Sequence, residues 1–188
     1  METALEDVKT RPPAPVHITV LRAHDLKGVK GDAPVTYVRA EFNNILLGDS
    51  PKLETTPNEP IEYNFTASFD IGGESPHSLD DMAHRPVLLT VIEILPKEKK
   101  QKEEKTSVLG QTAVDLLPLL RGECNFVVTV PLHPLHGSPL ETLHPDAKPR
   151  LEVAVSVAVP LLTESQINQG NLLRVTMEAA YCVPDSWT

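Results

Sequence analysis

At 188 residues with a formal net charge of −9, the chain has the length of one domain, or of one domain and the start of another. The acidic balance argues against general nucleic-acid binding, which needs a basic field to displace counterions, and aromatics at 4% leave little to stack on bases. No apolar run reaches the ~20 residues that a membrane-crossing helix needs, METALEDVKTRPPAP lacks the apolar core of a signal peptide, and two distant cysteines, Cys124 and Cys182, read as reduced thiols of a cytoplasmic protein.

Eighteen prolines, about twice average usage, fall between apolar segments, as expected of strands joined by rigid turns. Residues 1–15 are polar and proline-bearing, a lead-in expected to be disordered. VHITVLRA predicts the first strand, Val16 to Ala23, with Val16, Ile18 and Val20 on one face. Gly31-Asp32 marks a turn before the second strand, Val35 to Phe42. Asn43-Asn44 then closes a tight hairpin, because asparagine tolerates positive φ, and Ile45 to Gly48 returns as the third strand. A proline-rich passage with a short edge strand at Leu53 to Thr55 leads to Glu62–Ile71. There Tyr63, Phe65, Ala67, Phe69 and Ile71 alternate with polar residues, which predicts a sheet with one dry and one wet face. Residues 72–86 form a loop with a helical turn at Ser78 to Ala83, for which Ser78 is the N-cap candidate.

Val87 to Leu95 and Thr106 to Val114 read as two apolar strands flanking KEKKQKEEK, with five lysines, three glutamates and one glutamine. Such a loop cannot be buried, so the two strands must hold it in water. The apolar segment Asp115 to Leu120 follows, then strands at Asn125 to Leu132 and Arg150 to Val159. Together these predict an all-β fold, an eight-stranded antiparallel β-sandwich. The expected domain therefore covers residues 16–160, with 161–188 as a linker followed by one more strand. The linker carries a capping box at Thr163 to Gln166, and the strand, Leu172 to Val183, either completes the sandwich or begins another segment.

Catalytic signatures are missing from this pattern: the sequence has no Gly-x-Ser-x-Gly elbow, no Walker loop and no His-Glu-x-x-His helix. His133 and His136 are the close histidine pair, and a zinc site there would need His144 and Asp146 from a proline-bearing loop. They read instead as solvent-exposed loop histidines. The expectation is a protein that is not an enzyme and has no cofactor, no metal and no small-molecule substrate.

Asp-Leu-Lys-Gly, followed by Gly-Asp-Ala-Pro and Val-Thr-Tyr-Val, resembles the opening of a C2 domain. EYNFTASFDI, LLTVIEIL and VLGQTAVDLLPLL resemble that family's fourth, sixth and seventh strands, and the match covers about residues 16–160. Calcium-binding C2 domains place acidic side chains on two facing loops, since this cation takes six to eight oxygen ligands. Carried over residue by residue, Asp32 matches one ligand, Glu93 replaces a second and Leu95 a third, while Val29 and Lys30 stand where another aspartate belongs. The resemblance therefore implies a C2-like fold with a degenerate calcium site.

LPKEKKQKEEK, with ILLGDSPK before it and PLHPLHGSPLET after it, also resembles the amino-terminal region of a family of axonemal proteins with carboxyl-terminal tetratricopeptide repeats. That likeness implies a non-catalytic component of motile cilia and flagella, located on the cytoskeleton, with other axonemal proteins as partners. Lys97, Lys99, Lys100, Lys102 and Lys105 are the candidate contacts, toward an acidic protein surface or acidic lipid headgroups. With glutamates offsetting the lysines, membrane contact is expected to be weak, and the bland alternative is a solubilising loop. A basic lipid-binding patch would further recruit Lys52, Arg22 and Arg39, provided that the strands of the two arginines are neighbours.

Overall fold

A computed structural model describes residues 14–97, 99, 103–170 and 175. Among the described residues nine strands form two antiparallel sheets. They are β1 (Ala14–His24), β2 (Val35–Phe42), β3 (Ile45–Asp49), β4 (Leu53–Glu54) and β5 (Ile61–Ile71), then β6 (Val87–Ile94), β7 (Thr106–Val114), β8 (Asn125–Pro131) and β9 (Arg150–Val157). One sheet has the order β5-β1-β9-β8, and the other β3-β2-β6-β7 with the two-residue β4 also paired to β2. This is the expected all-β sandwich, its eight main strands joined by the short edge strand that the sequence marks at Leu53.

The core lies between the sheets and follows from side-chain alternation. Val16, Ile18 and Val20 of β1 and Leu151, Val153, Val155 and Val157 of β9 are buried against Val38, Ala40 and Phe42 of β2 and Val87, Leu89 and Val91 of β6. β5 adds Tyr63, whose hydroxyl is hydrogen-bonded to the Thr36 hydroxyl of β2 and so ties one sheet to the other. Burial pushes the Tyr63 hydroxyl up to about 12. Asn43 and Asn44 have φ of 50° and 62°, the left-handed pair of a two-residue hairpin turn, and they set Phe42 opposite Ile45.

Two features depart from simple alternation. Against β9 the register of β1 shifts between Val20 and Arg22, which face the adjacent Val153 and Glu152; this bulge inserts Leu21 and puts Ala23 into the core in place of the next residue in the alternation. The last strand, expected to reach Val159, ends at Val157, and Val159 is 60% exposed. On the β8 side the neighbouring strand begins at Asn125 opposite Ser156, and on the β1 side the pairing stops at Val16 opposite Val157.

Short helices close the ends. α1 (Leu79–His84) starts at Ser78, whose hydroxyl accepts from the Asp81 N–H while the Asp81 carboxylate accepts from the Ser78 N–H. Those bonds hold the Asp81 carboxyl below its ordinary value, the backbone contact from Ser78 being the largest cause. α2 (Leu117–Leu120) begins where Asp115 accepts the Leu117 N–H. α3 (Leu140–Leu143) is a turn without a clear signal in the sequence. Just before α1, His77 is only 6% exposed, in contact with the stacked rings of Phe42 and Phe69.

After Pro160 the chain stays on the sandwich. Leu161 is 5% exposed within the same core. α4 (Glu164–Gln169) carries the Thr163–Gln166 capping box, and its Ile167 lies so close to Gly122 that a Cβ there would meet it at 2.8 Å. Most of the lead-in and, Val175 apart, the strand expected at Leu172 to Val183 lie outside the described residues. Leu161→Ala is expected to cost about 2–5 kcal/mol as a buried leucine truncation, and a chain ending at Pro160 at least as much. Urea denaturation of the two variants checks this, and an unchanged midpoint would detach the segment after Pro160 from the folding unit.

Candidate functional site

The β1–β2, β6–β7 and β8–β9 connections gather at one end of the sandwich, as alternating antiparallel strands require, and the positions singled out from sequence are there. Glu93, near the end of the central strand β6, is 3% exposed. A carboxylate buried that deeply needs hydrogen-bond donors. Its Oε2 accepts the Val29 N–H at 2.8 Å, and the β1–β2 loop folds onto it through a Gly28 N–H to Gly31 carbonyl bond of 2.9 Å. Only glycine fits at position 28, where a Cβ would lie 2.7 Å from Glu93 Oε1 and 2.8 Å from the Gly31 oxygen.

The other two degenerate positions do not join Glu93 around a common point. Asp32 has a side chain 64% exposed, 3.9 Å from the Lys27 ammonium. Leu95 presents a half-buried aliphatic side chain, and its N–H donates to the Lys105 carbonyl at 2.9 Å, closing the base of the lysine loop. Among the described residues no group of three or more His, Cys, Asp or Glu side chains is placed to hold a metal ion.

Lys97, Lys99 and Lys105 are exposed on the β6–β7 loop, and none has an ion-pair partner among the described residues; Lys100 and Lys102 lie outside them. The returning arm of the loop is anchored, since the Lys52 ammonium donates to Glu104 at 2.8 Å. That bond holds the exposed Glu104 carboxyl below its ordinary value.

The basic patch that would extend the loop does not form. Arg22 lies on β1 in one sheet, whereas Arg39 lies on β2 in the other. Arg22 sits 3.3 Å from Glu62 and 3.5 Å from Glu152. Arg39 makes a two-pronged contact with Asp49, both bonds 2.8 Å, which holds the Asp49 carboxyl below its ordinary value. With Lys52 on Glu104, each candidate already faces a carboxylate.

One histidine departs from its expected place. His144, read from the sequence as a solvent-exposed loop residue, is half-buried and donates from Nε2 to the Gly28 carbonyl at 3.0 Å, a contact 116 residues apart in the chain. Glu93, Gly28 and His144 thus connect the central strand, the β1–β2 loop and the β8–β9 connection. The sequence held one cue, a histidine followed by a proline, but nothing in it names the receiving carbonyl.

Comparison with known proteins supplies the context. A protein-family model described as Cilia and flagella-associated protein 70 N-terminal domain matches residues 12–177. The chain is 61% identical over 173 residues to cilia- and flagella-associated protein 70 from Macaca fascicularis and to that from Homo sapiens. The match takes in 92% of this chain but only 17% and 15% of those two proteins. Among solved structures, a C2 domain of plant extended synaptotagmin 1 is 16% identical, with a TM-score of 0.54 over 81% of this chain and all of that one. A chain solved in a study of how CC2D1B coordinates ESRCT-III activity is 17% identical, with a TM-score of 0.58 over 84% of this chain and 60% of that one. At such identities these structures speak to fold alone.

Glu93→Ala leaves the Val29 N–H without its acceptor and is expected to cost about 1–3 kcal/mol, while Glu93→Gln, which keeps an acceptor oxygen, costs less. Thermal unfolding and amide exchange at Val29 check the pair. Equal stability in both variants would remove Glu93 from its capping role.

Proposed function

This chain belongs to the cilia- and flagella-associated protein 70 family as its N-terminal domain, and from that premise we propose that it is a non-catalytic, calcium-independent interaction module. In this reading it helps to place a larger ciliary protein on the axoneme by binding other axonemal proteins. The chain is a small fraction of its relatives' length, so the partner-bound assembly extends well beyond this domain. Its sandwich provides a stiff platform, and its loops provide the contacts.

The observation that carries calcium independence is the engagement of Glu93. A hard divalent cation recruits carboxylate oxygens that have no stronger internal partner. Here the one carboxylate on the second loop that matches a C2 calcium position is bonded to the Val29 amide, and the matching residue of the first loop faces a lysine. Withdrawing Glu93 toward a cation would leave a loop amide without its acceptor, which opposes binding.

The lysine loop is the proposed protein contact. Lys97, Lys99 and Lys105 stand exposed on an otherwise acidic molecule, and Lys100 and Lys102 belong to the same run. The surface they suit is an acidic one on a neighbouring axonemal protein. The same lysines support a second reading, calcium-independent contact with anionic lipid, in which each exposed cation contributes about 1 kcal/mol at best.

Substituting all five lysines by glutamine separates these readings, with the binding of the domain to isolated axonemes and to phosphatidylserine vesicles measured in the presence of a calcium chelator. The expected outcome is axoneme binding that weakens several-fold in the variant and with added salt, and negligible vesicle binding. Axoneme binding untouched by the substitution sinks the loop as the contact; strong vesicle binding favours the lipid reading.

A further inference from the structure

A cleft of about 590 Å³ opens at the loop end, between the β1–β2 loop and the β8–β9 connection, a size within the ~300–1,000 Å³ of ligand-binding clefts. The buried side chains of Leu26, Leu109 and Leu132 contribute to its lining, and Lys27, Lys148 and Arg150 supply cations. The walls are braced. The Lys148 N–H donates to Asp25 Oδ2 at 2.7 Å, and His144 holds the Gly28 carbonyl.

The charges around this cleft are unusual for the molecule. Arg22, Arg39, Arg85 and Arg121 each have a carboxylate within 4.0 Å. Arg150 has none among the described residues, and neither has Lys148, on a chain whose net charge is −9. Both carboxylates that line the cleft are engaged: Asp25 with the Lys148 amide, and Glu141 with the Gly137 amide at 2.9 Å and the His136 ring at 3.3 Å. Unpaired cations at the rim of an apolar trough suit a ligand that brings carboxylates and an aliphatic side chain together. A compact, multiply charged phosphate group would leave the leucines unused and would face Asp25 and Glu141.

The geometry points to this cleft as a docking site for an acidic peptide segment of a partner protein, with its carboxylates on Arg150 and Lys148 and an aliphatic side chain against Leu26 and Leu132. The site is separate from the lysine loop and does not depend on that loop's role. A guanidinium that receives a carboxylate through paired bonds gives direction as well as attraction.

The test is a ¹⁵N NMR titration of the full chain with an acetylated hexapeptide alternating glutamate and leucine, beside a glutamine-for-glutamate control and inositol hexaphosphate. The expected result is saturable shifts of the Lys27, Leu132, Lys148 and Arg150 amides with the acidic peptide. The combined Lys148→Glu and Arg150→Glu variant should weaken binding about tenfold or more, while five lysine-to-glutamine changes in the β6–β7 loop leave it unaltered. Because residues 148 and 150 are exposed, the thermal midpoint of the double variant should match the parent, and the milder Lys148→Gln and Arg150→Gln pair gives an intermediate loss. No saturable shift, shifts confined to the lysine loop, equal binding of the glutamine control, or preference for inositol hexaphosphate would each overturn the assignment.

Discussion

The loop end of this sandwich depends on one buried carboxylate. Glu93 sits at the end of the central strand of its sheet, almost wholly removed from water, and bonds the Val29 amide. Burying such a group is expensive unless donors surround it, so the β1–β2 loop must come down onto it. It can do so because position 28 has no side chain to collide with the carboxylate. The Gly28 carbonyl then receives His144 from the β8–β9 connection, 116 residues along the chain. Strand β6, the β1–β2 loop and the β8–β9 connection are thereby fixed relative to one another, and the cleft beside Arg150 lies between the latter two.

This arrangement also bears on what the C2-like fold does here. A sandwich of this kind leaves its chemistry to the loops, and fold alone does not say which chemistry. In this chain the acidic positions that would surround a cation are divided among an internal amide, a lysine and an aliphatic side chain. Basic residues elsewhere are mostly matched to carboxylates: Arg22 to Glu62 and Glu152, Arg39 to Asp49, Lys52 to Glu104. Among the described residues the cations without a carboxylate partner include Lys97, Lys99 and Lys105 on the β6–β7 loop and Lys148 and Arg150 at the cleft rim, all at one end. It is on this distribution that the proposed recognition of acidic protein surfaces rests, in preference to adhesion to a membrane across a broad basic face.

Much of the fold was legible because its signals are local. Alternation in β5 and β9, the Asn43-Asn44 turn and the Ser78 and Thr163 caps each involve residues a few positions apart, and each has a conformational reason that composition reveals. The candidate site was legible only in part. Asp32, Glu93 and Leu95 could be aligned with calcium positions, but that Glu93 would turn inward to an amide depends on how two loops pack. Arg22 and Arg39 looked like potential neighbours because strand order is not written in any single strand; the sheets in fact separate them. His144 and Gly28 are far apart in the chain, and the Leu21 bulge is a property of paired strands. Each of these is a long-range relation, which periodicity does not encode.

In the proposed reading Glu93 serves the loop's backbone in place of a metal. Calorimetric titration of the intact domain with calcium, up to millimolar concentration and followed by a thermal scan, tests it most directly. The expected result is no saturable heat and no change in the unfolding midpoint, since a ligand that does not bind the native state cannot stabilise it. Micromolar calcium binding with a raised midpoint would contradict the claim, because Glu93 would then leave the Val29 amide to join Asp32 around a cation.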